Sequence, residues 1–516
     1  IVLTREEGAS ATFTIGTLAV APHAKVTIEL PATICTSIQL SDDSELRIVA
    51  AGEDIQGLGA VISGTGKVSY CGGKVRINKT HSYTGGTYIK AGAMAQFGLN
   101  GSVFGNTGKP LVVEAGGAID TNGSYDSQYN PTVAGDGVLL ANGKRSGAIF
   151  NSKAGSVSND GKAQYQSLTV SAPATLCVDN IWGFVRGGHN GHLPISLGTN
   201  TLTKTGTNIL YVATKNSVQV NGTGTFVVDE GKFLWAMKNG GGAADGFAAT
   251  NAVLRIETNG IFEAQGHIRF REMTNNGTLF FNMAPRGADI TDDTLYYGDG
   301  DVIIDGNAGK SVFFRSRSTS KSTVTVRKGR YAAINSSGNN GAYKFVTPEN
   351  PKANLKIVVE PGAQFDLNGV KDFNPTVVIA GSLNGKTGTP EGALTNRSGT
   401  SLGSGAAQVP QIIMGADNVL ALFLLPLFGG ISDKTKTRIG KRMPFILFGT
   451  GCAVILMNIL PLLDNGSTKA WHCEICLDDV VVDIVAIEPW IHGAQVVFLH
   501  PVAVHCRNDG ELSYVG

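Results

Sequence analysis

From Ile1 to about Ala416, apolar residues come in short runs of Val, Ile, Leu and Phe. Gly, Asn, Asp, Ser and Thr separate the runs. Alternation with a period of two predicts short strands buried on one face, and no stretch carries the longer period of an amphipathic helix. One unit recurs: an alternating strand, two or three polar residues, then Gly. Examples are Ile89-Lys90-Ala91-Gly92, Val227 to Gly231, Val324 to Gly329 and Ile357 to Gly362. Gly at that place supplies the positive φ of a tight corner. Asn in Asn122-Gly123 and Asn368-Gly369 tolerates the same left-handed region.

A longer block occurs twice. Val112 to Gly123 reads V-V-E-A-G-G-A-I-D-T-N-G, and Val358 to Gly369 reads V-V-E-P-G-A-Q-F-D-L-N-G. Asn130-Pro131-Thr132-Val133 returns as Asn374-Pro375-Thr376-Val377, and Gly147 to Asn151 returns as Gly392 to Asn396. The duplicated regions are about 111–170 and 356–416. Self-similarity of this kind predicts stacked coils that each cover the next. Val113 and Val359 are expected at equivalent places. With coils of roughly 20–25 residues and strands ~4.8 Å apart, such a stack would make a rod some 80–100 Å long. A string of β-sandwich domains is the main alternative.

The pattern changes at about Gln411. Val419 to Ile431 and Met443 to Leu463 carry no charge, and the link between them holds Lys434, Lys436, Arg438, Lys441 and Arg442 against Asp433. Two apolar arms with a basic tip predict a helical hairpin over 411–465 that meets a membrane. The remaining 466–516 form a Cys- and His-containing tail that matches neither pattern. Cys473, Cys476, His505 and Cys506 there could ligate Zn²⁺, although one Cys-x-x-Cys is a weak signal and short strands explain the same stretch.

Composition narrows the functional classes. Charged residues are 16% of the 516 and the net charge is +1, which argues against a nucleic-acid-binding surface. Seven scattered Cys do not make a disulfide framework. No signal peptide is visible at Ile1. Asp292, Asp293, Asp299, Asp301 and Asp305 form an acidic cluster. Carboxylates sharing a strand face could bind Ca²⁺ or perform acid/base work on a polysaccharide, and a solvated turn is the plainer reading. His189 and His192 could bind metal but lack an evident third ligand. Trp182, Phe184 and Arg186 read as a sugar-stacking strip or, more simply, as core packing.

Two stretches resemble known families. Gly64 to Tyr70, G-T-G-K-V-S-Y, followed by His81 to Gly92, H-S-Y-T-G-G-T-Y-I-K-A-G, resembles the autotransporter-associated β-strand repeat. That repeat usually has Asn-Thr where His81-Ser82 stand. The resemblance implies a right-handed parallel β-helix, passenger-like, displayed at a bacterial cell surface or secreted. Asp417 to Phe445, D-N-V-L-A-L-F-L-L-P-L-F-G-G-I-S-D-K-T-K-T-R-I-G-K-R-M-P-F, resembles the second and third helices of major facilitator sugar/cation symporters. By that resemblance Gly430, Asp433, Arg438, Gly440 and Arg442 match the family's loop motif. Two helices alone cannot form a transport cavity.

The expected protein is therefore mainly β: a solenoid over 1–410, a hydrophobic α-helical hairpin over 411–465 and a small unassigned tail. The expected role is non-enzymatic, structural or adhesive, toward a polysaccharide or a host or cell-surface ligand, with membrane contact through 411–463. A β-helix polysaccharide lyase or glycosidase is the first alternative, and a transporter fragment fused to a solenoid is the second.

Overall fold

The computed structural model describes residues 1–3, 15–30, 35–124, 129–153, 165–186, 193–214, 217–237, 246–283, 289–292, 294–307, 310–314, 322–333, 356–368, 376–379, 393–395, 471–477, 480–486, 497–499, 503–506 and 512–515. They fall in two compact units, Ile1–Val324 and Thr325–Gly516. The protein is mainly β, with no helix among the described residues.

In the first unit the strand ladders run parallel. Val2 stands beside Thr27, Lys25 beside Glu45, Glu45 beside Lys67, Thr87 beside Leu111, and Leu111 beside Pro131. Each coil of chain thus returns to lie beside the one before, at the predicted spacing. The ladders satisfy backbone groups that burial would otherwise leave unpaired. The step from Thr132 to its partner Thr169 is longer. It includes a hairpin from Asp136 to Gly147, closed by the Gly147 N–H donating to the Asp136 carbonyl at 2.9 Å.

Alternation decides which side chains enter the core. In Lys67–Ile77, Val68, Tyr70, Val75 and Ile77 are fully buried, while Arg76 is exposed. Aromatic rings continue from coil to coil: Phe233 stacks on Phe262 at 5.0 Å and Phe247 on Phe270 at 5.3 Å. Trp182 and Phe184 belong to the same interior, 0% and 1% exposed and packed with Tyr165. They are core, so the sugar-stacking strip is set aside for these two residues.

Lys204 and His81 are among the titratable groups buried in the first unit. Lys204, in Thr201–Thr205, lies between Leu176 and Val228 of the flanking coils. Its ammonium donates to the carbonyls of Gly206 and Glu230. Burial lowers its pKa to about 8, with the Glu230 charge opposing the shift. His81 is 4% exposed, and its Nδ1 accepts the Ile62 N–H at 3.1 Å. Burial lowers its pKa to about 4, opposed by a backbone hydrogen bond at Thr80.

In the second unit, Lys356–Val359 pairs in parallel with Thr376–Ile379, and Ala363–Asp366 with Leu394–Thr395. Gly329 to Ala332 stand beside Ala363 to Asp366. The tail pairs differently. Trp471–Leu477, Val480–Ala486 and Val497–Leu499 form one antiparallel sheet, and Ala503–Cys506 with Leu512–Val515 form another.

The duplicated block is a structural repeat. Val113 and Val359 are both fully buried. Each is followed by a four-residue turn: the Gly117 N–H donates to Glu114 O at 2.8 Å, and the Ala363 N–H to Glu360 O at 3.0 Å. Gly116 and Gly362 hold φ of 83° and 82° there, the place in a type II turn that needs a positive φ. Asn122 and Asn368 both have φ of 46°. Their backbone N–H groups donate to Asp120 and Asp366 Oδ1, each at 2.9 Å. Their side-chain amides donate back to the preceding coil, to Phe97 O and Ala333 O.

One part of the match needs correction. Thr132 pairs with Val112, but its sequence counterpart Thr376 pairs with Lys356 rather than Val358. The second copy is shifted by two residues. An even shift keeps inward residues inward, and Val133 and Val377 are both buried.

Candidate functional site

Outward positions on six successive coils of the first unit meet in a groove of about 550 Å³. Parallel register aligns its floor. Arg76 stands beside Gln96, Gln96 beside Asp120, and Asp120 beside Phe150. A second row runs Ile55, Lys74, Met94, Ala118. These residues face out because the side chains between them, Val75, Ala95, Ile119, Ile149 and Leu176, fill the core.

Hydrogen bonds tie the row together across coils. Arg76 Nε donates to Gln96 Oε1, and Gln96 Nε2 donates to Asp120 Oδ2 at 2.6 Å. Asp120 Oδ1 also accepts the Ser152 N–H at 2.9 Å. Asn151 Oδ1 accepts the Gly123 N–H at 2.8 Å, and its amide donates to Ile181 O at 3.0 Å. Asn180 Nδ2 donates to Asn151 O at 3.0 Å. Charge-assisted bonds of this kind fix rotamers and leave a preformed surface. Asp120 is fully engaged by three donors, which suits a positioning role. Arg76, Ser152 and Asp179 are exposed.

The hairpin from Asp136 to Gly147 is one wall. Val138 and the partly buried Leu140 pack on Met94, Ala118, Phe150 and Cys177, outside the main core. Arg145 pairs with Asp136 at 3.5 Å. Burying side chains of this size is worth roughly 1.5–3 kcal/mol each, enough to hold a short hairpin on the sheet. Cys177 lies beneath it, its thiol pushed up to about 11 by burial and then by the Asp179 charge.

The described aspartates proposed from sequence do not line this groove. Asp301 and Asp305 share the outward face of Asp301–Asp305, as alternation predicts, with Val302 and Ile304 buried between them. Four residues of strand separate their Cα atoms by about 13 Å, whereas paired-carboxylate glycoside hydrolysis uses carboxyls roughly 5–9.5 Å apart. Asp299 is on the exposed turn before the strand. Asp292 is buried and accepts the Thr294 N–H at 2.9 Å, so it faces away from any solvent-side cluster. Among the described residues no group of three or more His, Cys, Asp and Glu could hold a metal ion. His189, His192 and Asp293 lie outside the described residues.

In the tail, Cys473 and Cys476 stand beside Ile484 and Val481, while His505 and Cys506 belong to the other antiparallel sheet. Gly430, Asp433, Arg438, Gly440, Arg442 and the whole expected hairpin over 411–465 lie outside the described residues. Among the described residues no helix is long and apolar enough to cross a membrane.

No protein-family model, no curated protein and no solved structure matches the chain.

Proposed function

We propose that the protein is a non-enzymatic, structural or adhesive solenoid of the passenger type, a right-handed parallel β-helix carried at a bacterial cell surface or secreted. The observation that supports this most is how the recurring residues are used. In both copies the glutamate turn, the Asp and the Asn are engaged in closing corners and joining coils. The motif at Gly64 to Gly92 adds the resemblance to autotransporter repeats, and its residues do the same work: Thr84 N–H donates to Gly64 O and Lys90 N–H to Tyr70 O, each at 2.9 Å. Membrane contact through 411–463 belongs to this proposal as the anchor.

The test uses beads coated with the full chain, presented to cells and to polysaccharide-coated surfaces. Adhesion without release of soluble sugar ends is expected, and Asp299→Ala and Asp301→Ala should leave it unchanged. Release of sugar ends that disappears in either variant would overturn the proposal in favour of a polysaccharide lyase or glycosidase.

A further inference from the structure

We propose that the groove of the first unit binds a neutral, hydroxyl-rich polysaccharide chain laid across the coils. This rests on the adhesive reading and names its ligand class and its site. Three observations point the same way. The first is chemical: the lining combines the side-chain amides of Gln96, Asn122, Asn151 and Asn180 with carboxylates and the Arg76 fork. The amides are held by bonds between coils, and the exposed carboxylates, hydroxyl and guanidinium beside them can donate to and accept from adjacent hydroxyls, the recurring pattern of a pyranose ring. Gln96 and Asp120 are 2% and 1% exposed, so part of this surface is already ordered. Arg76, Ser152 and Asp179, with Glu53 and Asp54, offer exposed polar groups on the solvent side.

The second observation is the direction. Polar positions recur from coil to coil, and six coils spaced ~4.8 Å apart span roughly 24 Å along the stack. That length suits a short run of linked sugar rings, each meeting a new coil. Ile55, 38% exposed, and Leu140 on the hairpin offer apolar contact for the C–H faces of the rings.

The third is charge. Glu53, Asp54, Asp120 and Asp179 line the groove against Lys74 and Arg76 alone. Lys74 is further engaged with the Glu53 carbonyl at 2.8 Å. An excess of carboxylate repels a polyanionic chain such as a polyuronate, which leaves a neutral chain as the ligand.

Calorimetric titration of the full chain tests this with neutral β-1,4-linked gluco- and manno-hexasaccharides and an oligogalacturonate of equal length. At least one neutral chain should bind, and the galacturonate should bind more weakly. Ala141→Trp, which fills the groove from the exposed hairpin tip, and Asp179→Ala should each weaken binding by about tenfold or more. Tyr88→Ala is the control. Tyr88 lies on another outward row, between Lys67 and Lys90 at 5.8 and 5.5 Å, and its loss should leave binding intact. Absence of binding by both neutral chains, tighter binding of the galacturonate, or loss on Tyr88→Ala with both groove variants unaffected would each overturn the proposal. Bead adhesion that persists in Ala141→Trp and Asp179→Ala would refute the groove and leave the adhesive reading standing. Neutral-chain binding in the titration without bead adhesion would refute the adhesive reading instead.

Discussion

The two copies of the duplicated block, about 111–170 and 356–416, share their corners and differ, among the described residues, in the row that lies outside the main core. Both bury a valine ahead of a glutamate turn, and both close the next corner with an Asn in the left-handed region. Both also align the following strand identically: Ile119 N–H donates to Ala148 O, and Phe365 N–H to Ala393 O. The outward row differs. In the first copy Asp120 pairs with Phe150, which lies under the hairpin wall. In the second copy Asp366 pairs with Thr395. Repetition marks what a coil needs in order to stack, and departures from it mark where a particular surface has been built.

Acid should separate the coils near the first copy from the rest. His81 joins neighbouring coils through its Nδ1, which accepts from the Ile62 N–H, and through its backbone N–H, which donates to Ser102 O at 2.8 Å. Its pKa falls from 6.5 to about 4 on folding because burial disfavours the imidazolium. A group buried neutral contributes fully above its unfolded pKa, and that contribution is lost as pH falls from 6.5 towards 4. The shift corresponds to roughly 3 kcal/mol. Urea unfolding followed between pH 7 and 4 should show this loss. His81→Asn keeps an acceptor for the Ile62 N–H and should flatten the dependence. An unchanged pH profile in that variant would show that other groups govern acid sensitivity.

The corner asparagines test whether the copies are energetically alike. Asn122→Ala and Asn368→Ala each remove an amide bond to the preceding coil and place Ala at positive φ. Each should cost about 1–3 kcal/mol. Asn→Gly at either place should cost less, because it relieves the φ strain and loses only the amide. Denaturation of the four variants decides this, and a large loss in one copy with none in the other would break the equivalence.

The smallest effect is expected at the turn. Pro361 follows Glu360 where the first copy has Ala115. Pro is favoured at that place of a type II turn. Ala115→Pro should therefore stabilise by about 0.4–1 kcal/mol through the unfolded chain. A lower thermal midpoint would show that the two turns differ in backbone conformation.

Local rules made the coil legible. The four corner glycines read from sequence, Gly92, Gly231, Gly329 and Gly362, all have positive φ, because a tight turn demands it of one residue within a few bonds. Inward and outward alternation along Asp301–Asp305 was equally readable. The groove was not. Arg76, Gln96, Asp120, Asn151 and Asp179 come from different coils at irregular spacing, so no local motif contains them. A signal was present in the paired D-x-N corners and in polar residues set between inward apolar ones, but both also describe an ordinary solvated face.

The chain's own pattern therefore determined the strands, their corners and the duplication, since alternation and positive φ act between near neighbours. Tertiary structure alone decided the register. It set Thr376 two residues away from the place its sequence match suggests. It also chose core packing over the sugar-stacking strip for Trp182 and Phe184 and folded the 136–147 hairpin onto Met94 and Phe150. Each of these outcomes depends on which coil lies beside which, and that is set by the packing of side chains distant in sequence.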